Sequence, residues 1–185
     1  KMKKLISVGI CLLMILSTVF YLTGCKSRSD EMSDLETYTT KQMTKTKKQV
    51  IKCINEQDKE GLKKLFSKDA QKHIEDLDSK LDQFINTFNG NKIESKKSRD
   101  PNFEGSAQAQ PLHIFGKYHL KLSNGDKYIL FINTCDIDEH NKDREGIYQL
   151  VILTFSSEEV PEDFRMEGTN NDYGIFIYSK DGTLL

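Results

Sequence analysis

The sequence predicts an α+β domain in which helices come first and an antiparallel sheet follows. Two observations carry this. Between Asp34 and Phe88 the apolar residues recur at spacings of three and four, the period of an amphipathic helix. From Tyr118 to Tyr178 they alternate, or run together briefly, between turn residues, as in strands. Helical and strand patterns kept in separate halves of a chain indicate α+β architecture.

The elements follow in order. Met43, Val50, Ile51 and Ile54 mark the first helix on a Lys- and Gln-rich background. Asn55 to Asp58 breaks it, and Asp58 has the chemistry of an N-cap. Leu62, Leu65 and Phe66 form a second, short amphipathic turn. Ser67 caps a third helix, whose stripe is Ala70, Ile74, Leu77, Leu81, Phe84, Ile85 and Phe88. Gly90 stops it. Residues 99–113, with Pro101, Gly105 and Pro111, read as a mobile loop that ends at His113. Strands then cover Tyr118 to Leu122, Tyr128 to Ile132, Gly146 to Phe155 and Tyr173 to Tyr178. Asn124-Gly125 is a hairpin turn, since both residue types accept positive φ. Asp136 to Glu145 is a charged loop, and Pro161 to Asp172 a polar connection. The helices must bury one sheet face. Tyr128, Leu130 and Ile132 alternate with Ile129 and Phe131, so the second face is apolar too and needs cover from the long loops or from another subunit.

The amino end carries an address. Lys1, Lys3 and Lys4 precede an uncharged, largely apolar stretch from Leu5 to Gly24, the plan of a secretory signal. Leu22-Thr23-Gly24-Cys25 resembles the lipobox of bacterial lipoprotein precursors. In that family the peptide is cleaved before the cysteine, and its thiol takes a diacylglycerol. The expected organisation is a signal over 1–24, a lipidated tether over 25–33, and a single domain over 34–185. The chain would then lie on the extracytoplasmic face of the cell membrane, held by acyl chains on Cys25. An uncleaved membrane anchor is the alternative.

Without residues 1–24 the chain has 24 basic and 28 acidic residues, a net charge of −4. That excludes a nucleic-acid binder, which needs a basic surface. Of four cysteines, Cys11 leaves with the signal and Cys25 is acylated. Cys53 and Cys135 remain. They are too far apart in sequence for a zinc knuckle, and an extracytoplasmic setting permits a disulfide between them; two separate, partly buried thiols are the alternative.

Val50-Ile51-Lys52-Cys53-Ile54, followed by Asp58-Lys59-Glu60-Gly61-Leu62-Lys63-Lys64-Leu65-Phe66-Ser67, resembles the nuclear transport factor 2-like cone fold, in which a curved sheet wraps the helices. With the lipobox and the strand beginning Gly146-Ile147, the chain is similar to the lipoprotein family called domain of unknown function 5104. The resemblance implies a cone fold and an envelope address, with no assigned reaction. The superfold hosts isomerases, dehydratases and binding modules, so fold alone does not specify activity.

Enzymes on that cone place Asp and His in the pocket between helix and sheet. His73, at the edge of the third-helix stripe, is the candidate pocket residue, with flanking the core as its alternative. His119 alternates with Tyr118 and Leu120 and faces away from them. Asp136, Asp138, His140, Asn141 and Asp143 crowd one loop. They fail the EF-hand pattern, with Asn141 where glycine is needed and Ile147 where the bidentate glutamate belongs. A solvated hairpin loop is expected there, and no metal or cofactor. No nucleophile elbow, Cys-x-x-Cys or phosphate loop occurs.

These readings make the expected activity that of a non-catalytic module for a small ligand or protein, with homodimerisation through the second sheet face as one form of partnership. A small cone-fold enzyme of the isomerase or hydrolase type is the first alternative, and an envelope immunity or shielding lipoprotein the second.

Overall fold

A computed structural model describes residues 28–98, 102–104, 111–161 and 173–185. The signal and lipobox, including Leu22, Thr23, Gly24 and Cys25, lie outside the described residues, as do most of the expected 99–113 loop and of the 161–172 connection. Among the described residues no helix is long and apolar enough to cross a membrane.

Among the described residues, four helices precede six strands. Helix α1 spans Arg28–Glu56, α2 Lys59–Lys63, α3 Lys68–His73 and α4 Leu77–Asn86. Strands follow as β1 Ile93–Ser98, β2 Asn102–Glu104, β3 Leu112–Leu122, β4 Lys127–Ile137, β5 Gly146–Leu153 and β6 Gly174–Tyr178, with a 3-10 turn at Lys142–Arg144. α1 begins six residues before its apolar pattern does, inside the segment read as a tether. Asp30 and Glu31 stand in its first turn, where carboxylates favour a helix through its dipole.

Asp58 caps α2 by accepting from the Gly61 N–H at 2.8 Å, and Ser67 caps α3 by accepting from the Ala70 N–H at 3.0 Å. The single third helix of the sequence reading is two helices. Ile74 is extended and Asp76 has a φ of 49°, so the chain turns between α3 and α4. The stripe survives this break: Ala70, Ile74, Leu77, Leu81, Phe84, Ile85 and Phe88 are all buried.

The sheet is curved and unclosed, with order β1-β3-β4-β5-β6, and β2 pairs with β3 beside β1. The first four pairings are antiparallel, but β6 runs parallel to β5. The expected uniformly antiparallel sheet is therefore mixed at its last edge. The long connection between β5 and β6 permits this, since parallel neighbours need a crossover rather than a tight turn. At Asn124-Gly125 only Gly125 has positive φ, at 92°. Its N–H reaches Leu122 O and the Leu122 N–H reaches Asp126 O, both at 2.9 Å. That is the three-residue hairpin rather than the two-residue turn with two left-handed positions. β3 starts at Leu112, so His113 belongs to a strand and not to a loop.

The strand register sorts the side chains onto two faces. Ile114, Tyr118, Leu120 and Leu122 of β3 share one face with Tyr128, Leu130 and Ile132 of β4, and with Leu150 and Ile152 of β5. All are buried. Helices cover this face: the Phe88 ring lies 5.8 Å from Tyr128, and Lys47 of α1 stands over Tyr118 at 4.9 Å. Asn55 of α1 ties down β1, accepting from the Ile93 N–H at 2.8 Å. The opposite face carries Ile129, Val151, Leu153 and Tyr178, buried within the single chain beside the partly buried Phe131 and Phe176. His119 shares this second face, away from Tyr118 and Leu120, and is partly exposed.

Candidate functional site

A bulge at one end of the sheet creates the candidate site. Thr134 pairs with Ile147 and Asn133 with Gln149, which leaves Tyr148 as an extra residue on β5. A bulge frees a side chain from strict alternation. The Tyr148 ring meets His113 edge-on at 5.4 Å and Tyr173 edge-on at 6.4 Å. His113 is the register partner of Cys135, and Tyr173 enters β6 beside Tyr148, because Gly174 pairs with Gln149. His113, Cys135 and Tyr148 thus come from three neighbouring strands, and Tyr173 from the residue just before the fourth. With Arg144 from the 3-10 turn they line a pocket of about 100 Å³.

The β4–β5 connection holds Arg144 in place. Its Nη1 donates to Asp138 at 3.1 Å, and the Asp138 side chain is only 3 % exposed. Asp138 also accepts the N–H groups of His140 and Asn141, at 3.0 and 2.9 Å. Burial alone would raise its pKa; these N–H groups and the Arg144 charge outweigh burial and hold it below the ordinary carboxylate value. The loop expected to be solvated therefore has a buried carboxylate at its centre. Two of its other acids are also paired: Asp136 accepts from the Tyr38 hydroxyl at 2.6 Å, and Asp143 pairs on the surface with Lys68 and Lys72 at 3.1 and 3.5 Å.

The next support is the approach of β5 to the helices. The Ile147 N–H donates to Leu65 O, and the Ser67 N–H to Ile147 O, both at 2.9 Å. Gly146 has a φ of 133°, and a Cβ there would stand 2.7 Å from the Ser67 nitrogen. Only glycine fits that close backbone approach without strain.

His73 lies outside the pocket. Its side chain is 59 % exposed; its ring stacks on Tyr173 at 5.1 Å, and its Nδ1 is 2.8 Å from Asp69 O. The Tyr173 hydroxyl donates to the Asp69 carboxylate and also bonds to Arg144. Burial, then the Asp69 bond, raises the Tyr173 pKa. Cys53 and Cys135 are both free and buried, in α1 and β4, and no disulfide joins them. Burial, then the negative charge of Asp138, pushes the Cys135 thiol up to about 11. Such a thiol is protonated at neutral pH and is a poor nucleophile.

The family model described as Domain of unknown function (DUF5104) matches residues 49–156. The chain belongs to that family. The DUF5104 stretch holds four of the five pocket residues, His113, Cys135, Arg144 and Tyr148; Tyr173 lies beyond it. No curated protein matches the chain. Of the pocket residues, local sequence marks Cys135 only as half of a disulfide and His113 only as a loop end. Arg144, Tyr148 and Tyr173 had no local signal, since each sits in an ordinary loop or strand pattern and only pairing across the sheet brings them together.

Proposed function

We propose that this chain is a lipoprotein, cleaved before Cys25 and held by lipid on the extracytoplasmic face of the cell membrane, whose DUF5104 domain binds a small ligand without transforming it. The observation that carries the binding reading is the pocket of about 100 Å³ opened by the bulge at Tyr148 and lined, among the described residues, by five polar or aromatic side chains. Its thiol is protonated, so it does not offer the activated nucleophile of covalent catalysis. The order of basic residues, apolar run and lipobox supports the address. The helices-then-curved-sheet order supports the nuclear transport factor 2-like superfold.

Native mass spectrometry of the purified full chain tests the binding half. A retained molecule that leaves when Tyr148 or His113 is replaced supports it; a bare protein that takes up nothing from a cell extract sinks it. Labelling cells with radioactive palmitate tests the address. Label on the wild type and none on Cys25→Ser is expected, and equal labelling of both removes the anchor.

His113 in the pocket wall favours one second reading, an isomerase- or hydrolase-type enzyme. Incubating the recovered ligand with the protein separates the two. Recovery at unchanged mass and structure supports binding, whereas conversion that His113→Gln abolishes makes it an enzyme.

A further inference from the structure

We propose that the pocket receives the carboxylate end of a small organic acid, with Arg144 as the group that holds it. This rests on the binding reading above and names the class of ligand.

The charge comes first. Arg144 is the one permanently charged side chain among the described lining residues, and a guanidinium stays protonated at any physiological pH. Its fork carries five N–H bonds. Asp138 accepts one, and Tyr173 shares another contact. The Arg144 side chain is 38 % exposed, so the remaining donors are not sealed into the fold. Asp138 already accepts two backbone N–H groups. Its pair with Arg144 works as a mount that fixes the plane of the guanidinium, and a fixed plane suits the paired oxygens of a carboxylate.

The other charges face elsewhere. No described lining residue is a carboxylate. The nearby carboxylates are engaged elsewhere: Asp69 by the Tyr173 hydroxyl, Asp138 by Arg144, Asp136 by the Tyr38 hydroxyl and Glu145 by Lys142. An ammonium ligand would therefore meet a cation and, among the described lining residues, no carboxylate. A phosphate dianion calls for further cations, but Lys68 and Lys72, from neighbouring α3, are paired with Asp143.

Size and walls narrow the ligand further. About 100 Å³ is below the ~300 Å³ at which sites for drug-sized ligands begin. The pocket holds one end of a molecule. The rings of His113, Tyr148 and Tyr173, set edge to face, offer apolar surface to a few carbons behind the carboxylate.

The test uses the full chain in detergent micelles with labelled arginine, followed by NMR at constant ionic strength. Three probes are compared: sodium butyrate, butylammonium chloride and inorganic phosphate. Butyrate is expected to shift the Arg144 Nε–Hε resonance saturably, with a Kd on the order of 1 mM. It should also give cross-peaks from its methyl group to the rings of Tyr173 and His113, a readout that needs no variant. Arg144→Lys keeps the charge and loses the fork, and should weaken butyrate about tenfold. Saturable binding of butylammonium or phosphate with none of butyrate would overturn the carboxylate assignment and leave the binding reading standing. Silence with all three probes, in a protein that retains no molecule in native mass spectrometry, overturns both.

Discussion

The guanidinium of Arg144 lies 3.1 Å from the carboxylate of Asp138, a side chain only 3 % exposed and also held by two backbone N–H groups. This pair organises the turn between β4 and β5 and sets the rim of the pocket. Asp138→Asn keeps the shape but loses the charge, so Arg144 loses its mount. The expected result is a Tm lowered by roughly 5 °C, with the larger loss in ligand binding. Differential scanning calorimetry of both proteins measures the first.

Acid should unfold the protein through the same loop. Asp138, Asp143 and Glu145 all titrate below their ordinary values: Asp138 through N–H bonds and Arg144 against burial, Asp143 through Lys68, and Glu145 through Lys142. A carboxylate whose folded pKa is depressed contributes stability above its unfolded pKa and loses it as pH falls through the folded value. Stability measured by urea unfolding should be flat between pH 7 and 5 and fall below about pH 4. A fall centred near pH 6 would assign the acid sensitivity to histidine instead.

At the alkaline end the tyrosines decide. Burial, then the Asp136 bond, pushes Tyr38 up to about 12, and burial also raises Tyr118. For a group with a raised folded pKa, the stabilisation is complete below the unfolded value near 10 and is lost as pH rises towards the folded one. Tyrosinate absorbance at those two residues should therefore appear together with unfolding. Tyr38→Phe should cost about 1 kcal/mol at pH 7 and flatten the alkaline limb.

Gly146→Ala tests the joint between sheet and helices. The methyl group would stand 2.7 Å from the Ser67 nitrogen at a φ of 133°, and relief requires moving backbone. A loss of about 2 kcal/mol or more is expected, read from chemical denaturation. A neutral outcome would mean that the Leu65–Ile147 joint is looser than its 2.9 Å hydrogen bonds imply.

The free thiols of Cys53 and Cys135 give a direct chemical check. Cys135, at about 11 and buried, should react with iodoacetamide at pH 8 about a hundredfold more slowly in the native protein than in denaturant. Both Cys53 and Cys135 should alkylate in denaturant without a reductant. Alkylation that requires reductant would place a disulfide between them.

Much of the fold is visible in sequence wherever the signal is local. Asp58 and Ser67 announce helix starts because a cap involves residues three apart. The stripe from Ala70 to Phe88 is legible, yet the break inside it is not: Asp76 is left-handed with no glycine to mark it. Alternation in β3 is clear only from Tyr118, and pairing with β4 carries the strand back to Leu112. The parallel β6 was hidden for the same reason, since strand direction depends on a partner and leaves no mark in five residues.

By itself the sequence determined the order of helices and strands, the caps, the hairpin and the two apolar faces, because periodicity and turn chemistry are properties of neighbours along the chain. It also carries the whole case for the lipid address. Only the tertiary structure decided which side chains share a pocket. His113, Cys135, Arg144, Tyr148 and Tyr173 meet through the register of four strands and a one-residue bulge at Tyr148. A shift of one residue in that register would turn a side chain to the other face, and the hydrogen bonds that set it join residues far apart in the chain.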